Sequence, residues 1–160
     1  MSYRKIGDVQ FAQGNFAEAL NSFRGDLDIA DRLAKSEPGN AEWQRELSIL
    51  YHRIGEVLFA QGNLAEALKS FREDFGIAEW LARSDPGNAE WQRDLAVSYS
   101  KIGAVQVEQG NLADALKCFC AALAVFDSLV KVDPGNSRWQ EDLSVCEAAI
   151  EISCAQTFAP

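Results

Sequence analysis

The stretch Asp85-Pro86-Gly87-Asn88-Ala89-Glu90-Trp91-Gln92-Arg93-Asp94-Leu95 decides the fold. It is preceded by a near copy running from Glu37 to Leu47 and followed by another from Asp133 to Leu143. Trp43, Trp91 and Trp139 therefore stand 48 residues apart, as do Pro38, Pro86 and Pro134 and, outside the stretch, Gly14, Gly62 and Gly110. A fixed period of this size marks stacked supersecondary units that cannot bury their apolar faces singly. The 160 residues hold three periods and the opening of a fourth.

Working outward from Trp43, the residues Leu47, Leu50, Ile54, Val57 and Gln61 recur at three- and four-residue steps, the spacing of one helical face. We name this helix A of the unit. After Gln61-Gly62 a second stripe of Leu64, Ala67 or Leu68, Phe71, Phe75, Ala78 and Leu81 defines helix B. The glycines after helix A suit a left-handed terminating residue, and Pro-Gly-Asn makes the turn back. Asn15 with Glu18, Asn63 with Glu66 and Asn111 with Asp114 have the spacing of reciprocal caps at the start of helix B. The pattern predicts seven helices, over about 2–12, 15–35, 40–60, 63–83, 88–108, 111–131 and 136–156, and no strand.

The chain carries 24 acidic and 15 basic side chains, for a net charge of −9, and 48% of its residues are apolar. That composition supports a buried core, and its sign argues against a phosphate-backbone partner, which needs clustered cations. No run approaches the roughly 18 apolar residues of a membrane helix, and Met1-Ser2-Tyr3-Arg4-Lys5 leads into polar sequence, so a soluble cytoplasmic protein without nucleic-acid or membrane partner is expected.

The unit resembles the tetratricopeptide repeat, whose pattern is W-x2-L-G-x2-Y, then A-x3-F, then P. Tyr51, Ile54, Gly55 and Leu58 stand for the first part, Ala67 and Phe71 for the second and Pro86 for the last. Tyr99, Ile102, Gly103, Gln106, Ala115, Phe119 and Pro134 repeat it, as do Tyr3, Ile6, Gly7, Gln10, Ala19, Phe23 and Pro38. Gln10 and Gln106 depart from the family's aromatic. The period also departs, being 48 in place of about 34. Seven extra residues on each side of Pro86 are about two helical turns, which lengthen both helices without changing the buried face. In this the chain is similar to extended arrays of bacterial members.

The resemblance implies an all-α solenoid of antiparallel helix pairs, a right-handed superhelix forming one domain over 1–160, with repeats at 1–37, 38–85 and 86–133 and a polar capping helix at 136–156. Mid-helix Gly7, Gly55 and Gly103 imply close packing of A against B, with Ala19, Ala67 and Ala115 as the facing surface. Family members bind a peptide or partner helix in the groove lined by helices A. Carried over, the groove comprises Arg4, Asp8 and Phe11; Ile49, His52, Glu56 and Phe59; and Val97, Ser100, Ala104 and Val107. Arg4, His52 and Ser100 are equivalent by period yet unrelated in chemistry, so packing does not fix that place. Padding of the next helix A is the competing reading for Phe11, Phe59 and Val107. The carboxylate clamp of chaperone-tail-binding members falls on Arg4, Asp8, Arg53, Val97 and Lys101, where Asp8 repels and Val97 offers no donor.

Some residues break the repeat. Trp80 replaces Arg32 and Ser128 and suggests an outer contact spot, or an aromatic folded onto its neighbours. Cys118, Cys120, Cys146 and Cys154 have no zinc spacing and read as reduced fillers, Cys120 being the exposed one. His52 is the sole histidine. No nucleophile, base and acid set, phosphate loop or metal cluster is present, so no enzyme and no cofactor is expected. The partner is a protein or peptide of unknown identity. The alternative is a self-assembly or spacer segment of a larger protein, with homo-oligomers formed through an N-terminal edge left incomplete because Met1 falls where Ile49 recurs.

Overall fold

The computed structural model describes residues 3–159, with side chains from Arg4 onward. Its elements are α1 (Tyr3–Ala12), α2 (Phe16–Ser36), α3 (Ala41–Ala60), α4 (Leu64–Ser84), α5 (Ala89–Glu108), α6 (Leu112–Val132) and α7 (Ser137–Thr157). The fold is all-α. Helices A are α1, α3, α5 and α7, helices B are α2, α4 and α6, and every expected boundary lies within a residue of the observed one. The N-terminal edge at Met1 lies outside the described residues.

Two compact units divide the chain, residues 1–81 and 82–160. In the first, α2 packs on α1 and α3, and Phe23, Leu50, Val57, Phe71 and Leu81 are fully buried. In the second, α6 packs on α5 and α7 around Ala96, Ala115, Phe119, Ala122, Phe126 and Trp139. Each buried phenylalanine or leucine removes apolar surface worth about 2–3 kcal/mol from water.

Of the helices A, α1, α3 and α5 end by one repeated device. Gly14, Gly62 and Gly110 have φ of 78°, 77° and 81°, the left-handed region open to glycine. Their amides bond back to Phe11, Phe59 and Val107, and the next amides, of Asn15, Asn63 and Asn111, reach Gln10, Leu58 and Gln106. This is the paired closure that satisfies the last carbonyls of a helix.

That closure overturns the expected caps at Asn15 and Asn111. Asn15 and Asn111 make no side-chain cap hydrogen bond, because each is also the last residue of the turn ending helix A. Its amide is already bonded, so the acid three residues on has no donor to reach, and its ψ of 65° or 62° differs from the extended value of a capping residue. The side-chain caps sit instead on helices A. Asn40 accepts from the amides of Glu42 and Trp43, Asn88 from Trp91 and Asn136 from Trp139, with ψ near 100°. Gln44 Nε2 donates to Ala34 and Pro38 carbonyls and Gln92 Nε2 to Ala82 and Pro86, tying helix A to the end of the preceding helix B.

The mid-helix glycines do mark close packing, but against a ring and not an alanine. A Cβ on Gly55 would lie 2.6 Å from Phe71 Cε1, one on Gly7 2.6 Å from Phe23 and one on Gly103 2.8 Å from Phe119. Ala19, Ala67 and Ala115 are fully buried nearby in the same hairpins. The glutamines that replace the family's aromatic make polar contacts: Ser22 Oγ donates to Gln10 at 2.7 Å and Cys118 Sγ to Gln106 at 3.4 Å.

Candidate functional site

The stripe carried over from the family lies on α1 (Arg4, Asp8, Phe11), α3 (Ile49, His52, Glu56, Phe59) and α5 (Val97, Ser100, Ala104, Val107), and every one of these residues is half-buried. The steps of three and four along each helix hold them on one face. Phe11 packs its ring on Phe16 of α2 at 5.6 Å, so part of that side chain is used within the first hairpin.

In the first unit the charged members of the stripe are joined to one another. Arg4 Nη1 donates to both carboxylate oxygens of Glu46, at 2.8 and 2.7 Å. Arg53 bridges Asp8 of α1 (3.3 Å) and Glu56 of its own helix (2.8 Å). Glu56 lies 3.5 Å from His52 Nε2, whose Nδ1 is 3.1 Å from Asp74 Oδ2 on α4. Ser48 donates to the other oxygen of Asp74. A continuous polar chain thus runs Asp8, Arg53, Glu56, His52, Asp74, Ser48 and links α1, α3 and α4. Ser48 and His52 both engage the carboxylate, so the imidazole does not activate the hydroxyl, and the set is structural and not a nucleophile with its base.

Asp74, whose side chain is 6% exposed, was not singled out by the sequence. The signal was available: it stands in helical register with Phe71, Ala78 and Leu81 of the buried stripe, where the third repeat has Ala122.

Burial lowers the His52 pKa, but hydrogen bonds to Asp74 and Glu56 and their charges outweigh it, and the value rises from 6.5 to about 8. The folded chain therefore holds this proton more tightly than the unfolded one. The resulting stability, about 2 kcal/mol, is fully present below pH 6.5 and disappears as pH rises through about 8. Urea unfolding between about pH 6 and 9 should show that loss, and His52→Gln should flatten it. An equal slope in the variant would assign the pH dependence to other groups.

In the second unit the stripe has different chemistry. Arg93 donates to Asp142 at 2.6 and 3.1 Å, and Arg138 lies 3.8 Å from Glu90, so α5 and α7 run side by side in one direction with charges paired at their N-terminal halves. Beyond these pairs Val97, Ala104 and Val107 are apolar, and Ser100 turns its hydroxyl onto the Ala96 carbonyl. The expected polar character of the last helix needs correction. Glu147 and Glu151 are exposed as expected, but Val145 (64%), Ile152 (59%) and, past the helix end, Phe158 (85%) are exposed with them.

Of the residues that break the repeat, Trp80 on α4 is 45% exposed. No disulfide joins the four cysteines: Cys120 is exposed, Cys118 and Cys154 are half-buried, and Cys146 is buried with its Sγ donating to the Phe119 carbonyl. Burial pushes the Cys146 thiol up to about 11. A maleimide should modify Cys120 in the native protein and Cys146 only after unfolding, read by peptide mass analysis; early modification of Cys146 would contradict its placement. Among the described residues no cluster of three or more His, Cys, Asp and Glu could hold a metal ion, and no helix is long and apolar enough to cross a membrane.

No protein of curated function matches the chain. Among solved structures, the crystal structure of MamA aligns over 96% of this chain and 90% of that one, at 14% identity and a TM-score of 0.35. A family model, the tetratricopeptide repeat, matches residues 49–73, the run from the second helix A into its helix B. That match spans the Tyr51, Ile54, Gly55, Leu58, Ala67 and Phe71 pattern, and the same pattern recurs at 48-residue spacing in the hairpins on either side: residues 49–73 are similar to a tetratricopeptide repeat, within a chain built of three such hairpins.

Proposed function

We propose that the protein is a non-catalytic binding module that takes a peptide or a partner helix on the half-buried stripe of helices A, carried by α1 and α3 in the first unit and by α5 in the second. One observation supports the reading most. The contact that spaces each hairpin, glycine against phenylalanine, is the same in all three repeats, whereas the stripe changes from a charged hydrogen-bonded chain in the first unit to apolar side chains in the second. Constancy inside a repeat with variation on one half-buried face is what a binding surface needs, because packing sets the first and a ligand the second. Four cysteines without a disulfide fit a reducing compartment such as the cytoplasm.

Peptides selected from a random library against the whole protein, then titrated into nitrogen-labelled sample, test this. The largest amide shifts are expected at Phe59, Val97, Ala104 and Val107. Shifts centred on Trp80 would move the contact to the helix B side, and concentration-dependent mass by light scattering without peptide binding would favour the self-assembly alternative. One cooperative unfolding transition would support residues 1–160 acting as a single repeat domain; two separate ones would overturn it.

Acidic carboxylate tails of the kind bound by chaperone-tail receptors are not expected to bind better than about 1 mM. Arg4 is already committed to Glu46, Arg53 to Asp8 and Glu56, and Val97 has no donor, so the carboxylate would meet no available clamp in either unit. A micromolar dissociation constant in an anisotropy titration would show this wrong.

A further inference from the structure

On α7 the exposed residues Val145, Ala148, Ile152 and Ala155 follow one another at steps of three, four and three. This is the seam spacing of a helix that packs against another helix, with large and small side chains alternating so that Ala148 and Ala155 leave hollows for bulky residues opposite. By the 48-residue period these four positions are the equivalents of Val97, Ser100, Ala104 and Val107 on the adjacent α5, so the two helices present one apolar face below their paired N-terminal halves. Glu147 and Glu151, one turn apart, lie along one side of the seam, are exposed and have no ion pair among the described residues. An acidic edge beside an apolar seam selects against a second copy of α7 docking on itself, which would bring like charges together, and selects for cations along the matching edge of the partner.

We propose that the α5 and α7 face of the second unit docks an amphipathic helix whose apolar seam is edged by lysine or arginine; this rests on the reading of helices A as the binding surface. The occupant needs about three turns to cover Val145 to Ala155, at 1.5 Å rise per residue. Its bulky seam residues enter at Ala148 and Ala155, and its cations lie against Glu147 and Glu151.

The probe is a three-heptad peptide, about 21 residues, with leucine at both seam positions and lysine at the flanking ones. A dissociation constant of about 10–100 μM to the whole protein is expected by fluorescence anisotropy. Val145→Ser with Ile152→Ser removes the seam and Glu147→Gln with Glu151→Gln removes the acidic edge; each is expected to weaken binding about tenfold or more, and the second also to reduce its salt dependence. All four side chains are exposed, and unchanged far-ultraviolet circular dichroism confirms that the variants fold.

Equal binding by a scrambled peptide of the same composition, or affinity within about twofold in the serine variant, would overturn the proposal. So would a concentration-dependent dimer abolished by the serine variant, which would make a second copy the occupant. If library-selected peptides map to helices A while the lysine probe does not bind, the choice of partner fails and the groove reading stands; if neither binds there, both fail.

Discussion

Replacing Asp74 with alanine is expected to destabilise the protein by about 3 kcal/mol near neutral pH, the scale of removing one member from a buried ionic and hydrogen-bonded set. The carboxylate is 6% exposed and receives Ser48 on one oxygen and His52 on the other. Without it Ser48, itself 4% exposed, loses its short charged acceptor, and the imidazole keeps only the more distant Glu56. Because native domains are stable by only about 5–15 kcal/mol, the shift in urea midpoint should be large at an unchanged slope. A loss under about 1 kcal/mol would mean that water enters and replaces the carboxylate.

The chain contains its own control for this prediction. At the equivalent positions of the third repeat stand Ala96, Ser100 and Ala122, a packed solution without a buried charge. The triple variant Ser48→Ala, His52→Ser, Asp74→Ala imports that solution and is expected to recover most of the loss while abolishing the pH slope, since removing a whole buried polar set is far cheaper than removing one member. A stable triple variant that no longer binds peptides selected against the native protein would place the network in recognition, through its hold on Glu56 and, beyond that, on Arg53.

What could be read from sequence divides along a physical line. Helix ends were legible to within a residue because they are written in local chemistry: a left-handed glycine after α1, α3 and α5, and Pro-Gly-Asn before α3, α5 and α7. The caps were misassigned because Asn15 and Asn111 serve two helices at once, and only the hydrogen-bond geometry decides which end takes the amide. The half-buried stripe followed from period and resemblance, but its internal pairing did not. Arg4 meets a residue 42 positions away and His52 one 22 away, separations at which periodicity says that two faces adjoin and not which atoms touch. The apolar seam of α7 was missed for a related reason: its four acids dominate the net charge of the helix, and only exposure separates the acidic edge from the seam.

The second large effect concerns the hairpin contact. Phe71→Ala is expected to cost about 4 kcal/mol, since a ring 1% exposed leaves a cavity that rigid helices fill only in part. The same substitution should reverse the sign of a change at Gly55. In the native protein Gly55→Ala places a Cβ 2.6 to 2.9 Å from three atoms of the Phe71 ring, overpacking that costs about 1–3 kcal/mol and exceeds the roughly 1 kcal/mol gained from alanine's helix propensity. With the ring gone the Cβ has room, and Gly55→Ala should stabilise the Phe71→Ala variant by up to about 1 kcal/mol. The gap at Gly103 is wider, 2.8 to 3.1 Å, so Gly103→Ala should cost less than Gly55→Ala. Equal effects of Gly55→Ala in the two backgrounds would show that the glycine is held by something other than the ring. If the sign does reverse, the close approach of glycine and ring sets the spacing of helix A on helix B, and with it how deeply Ile49, His52, Glu56 and Phe59 sit on the face proposed to meet the partner.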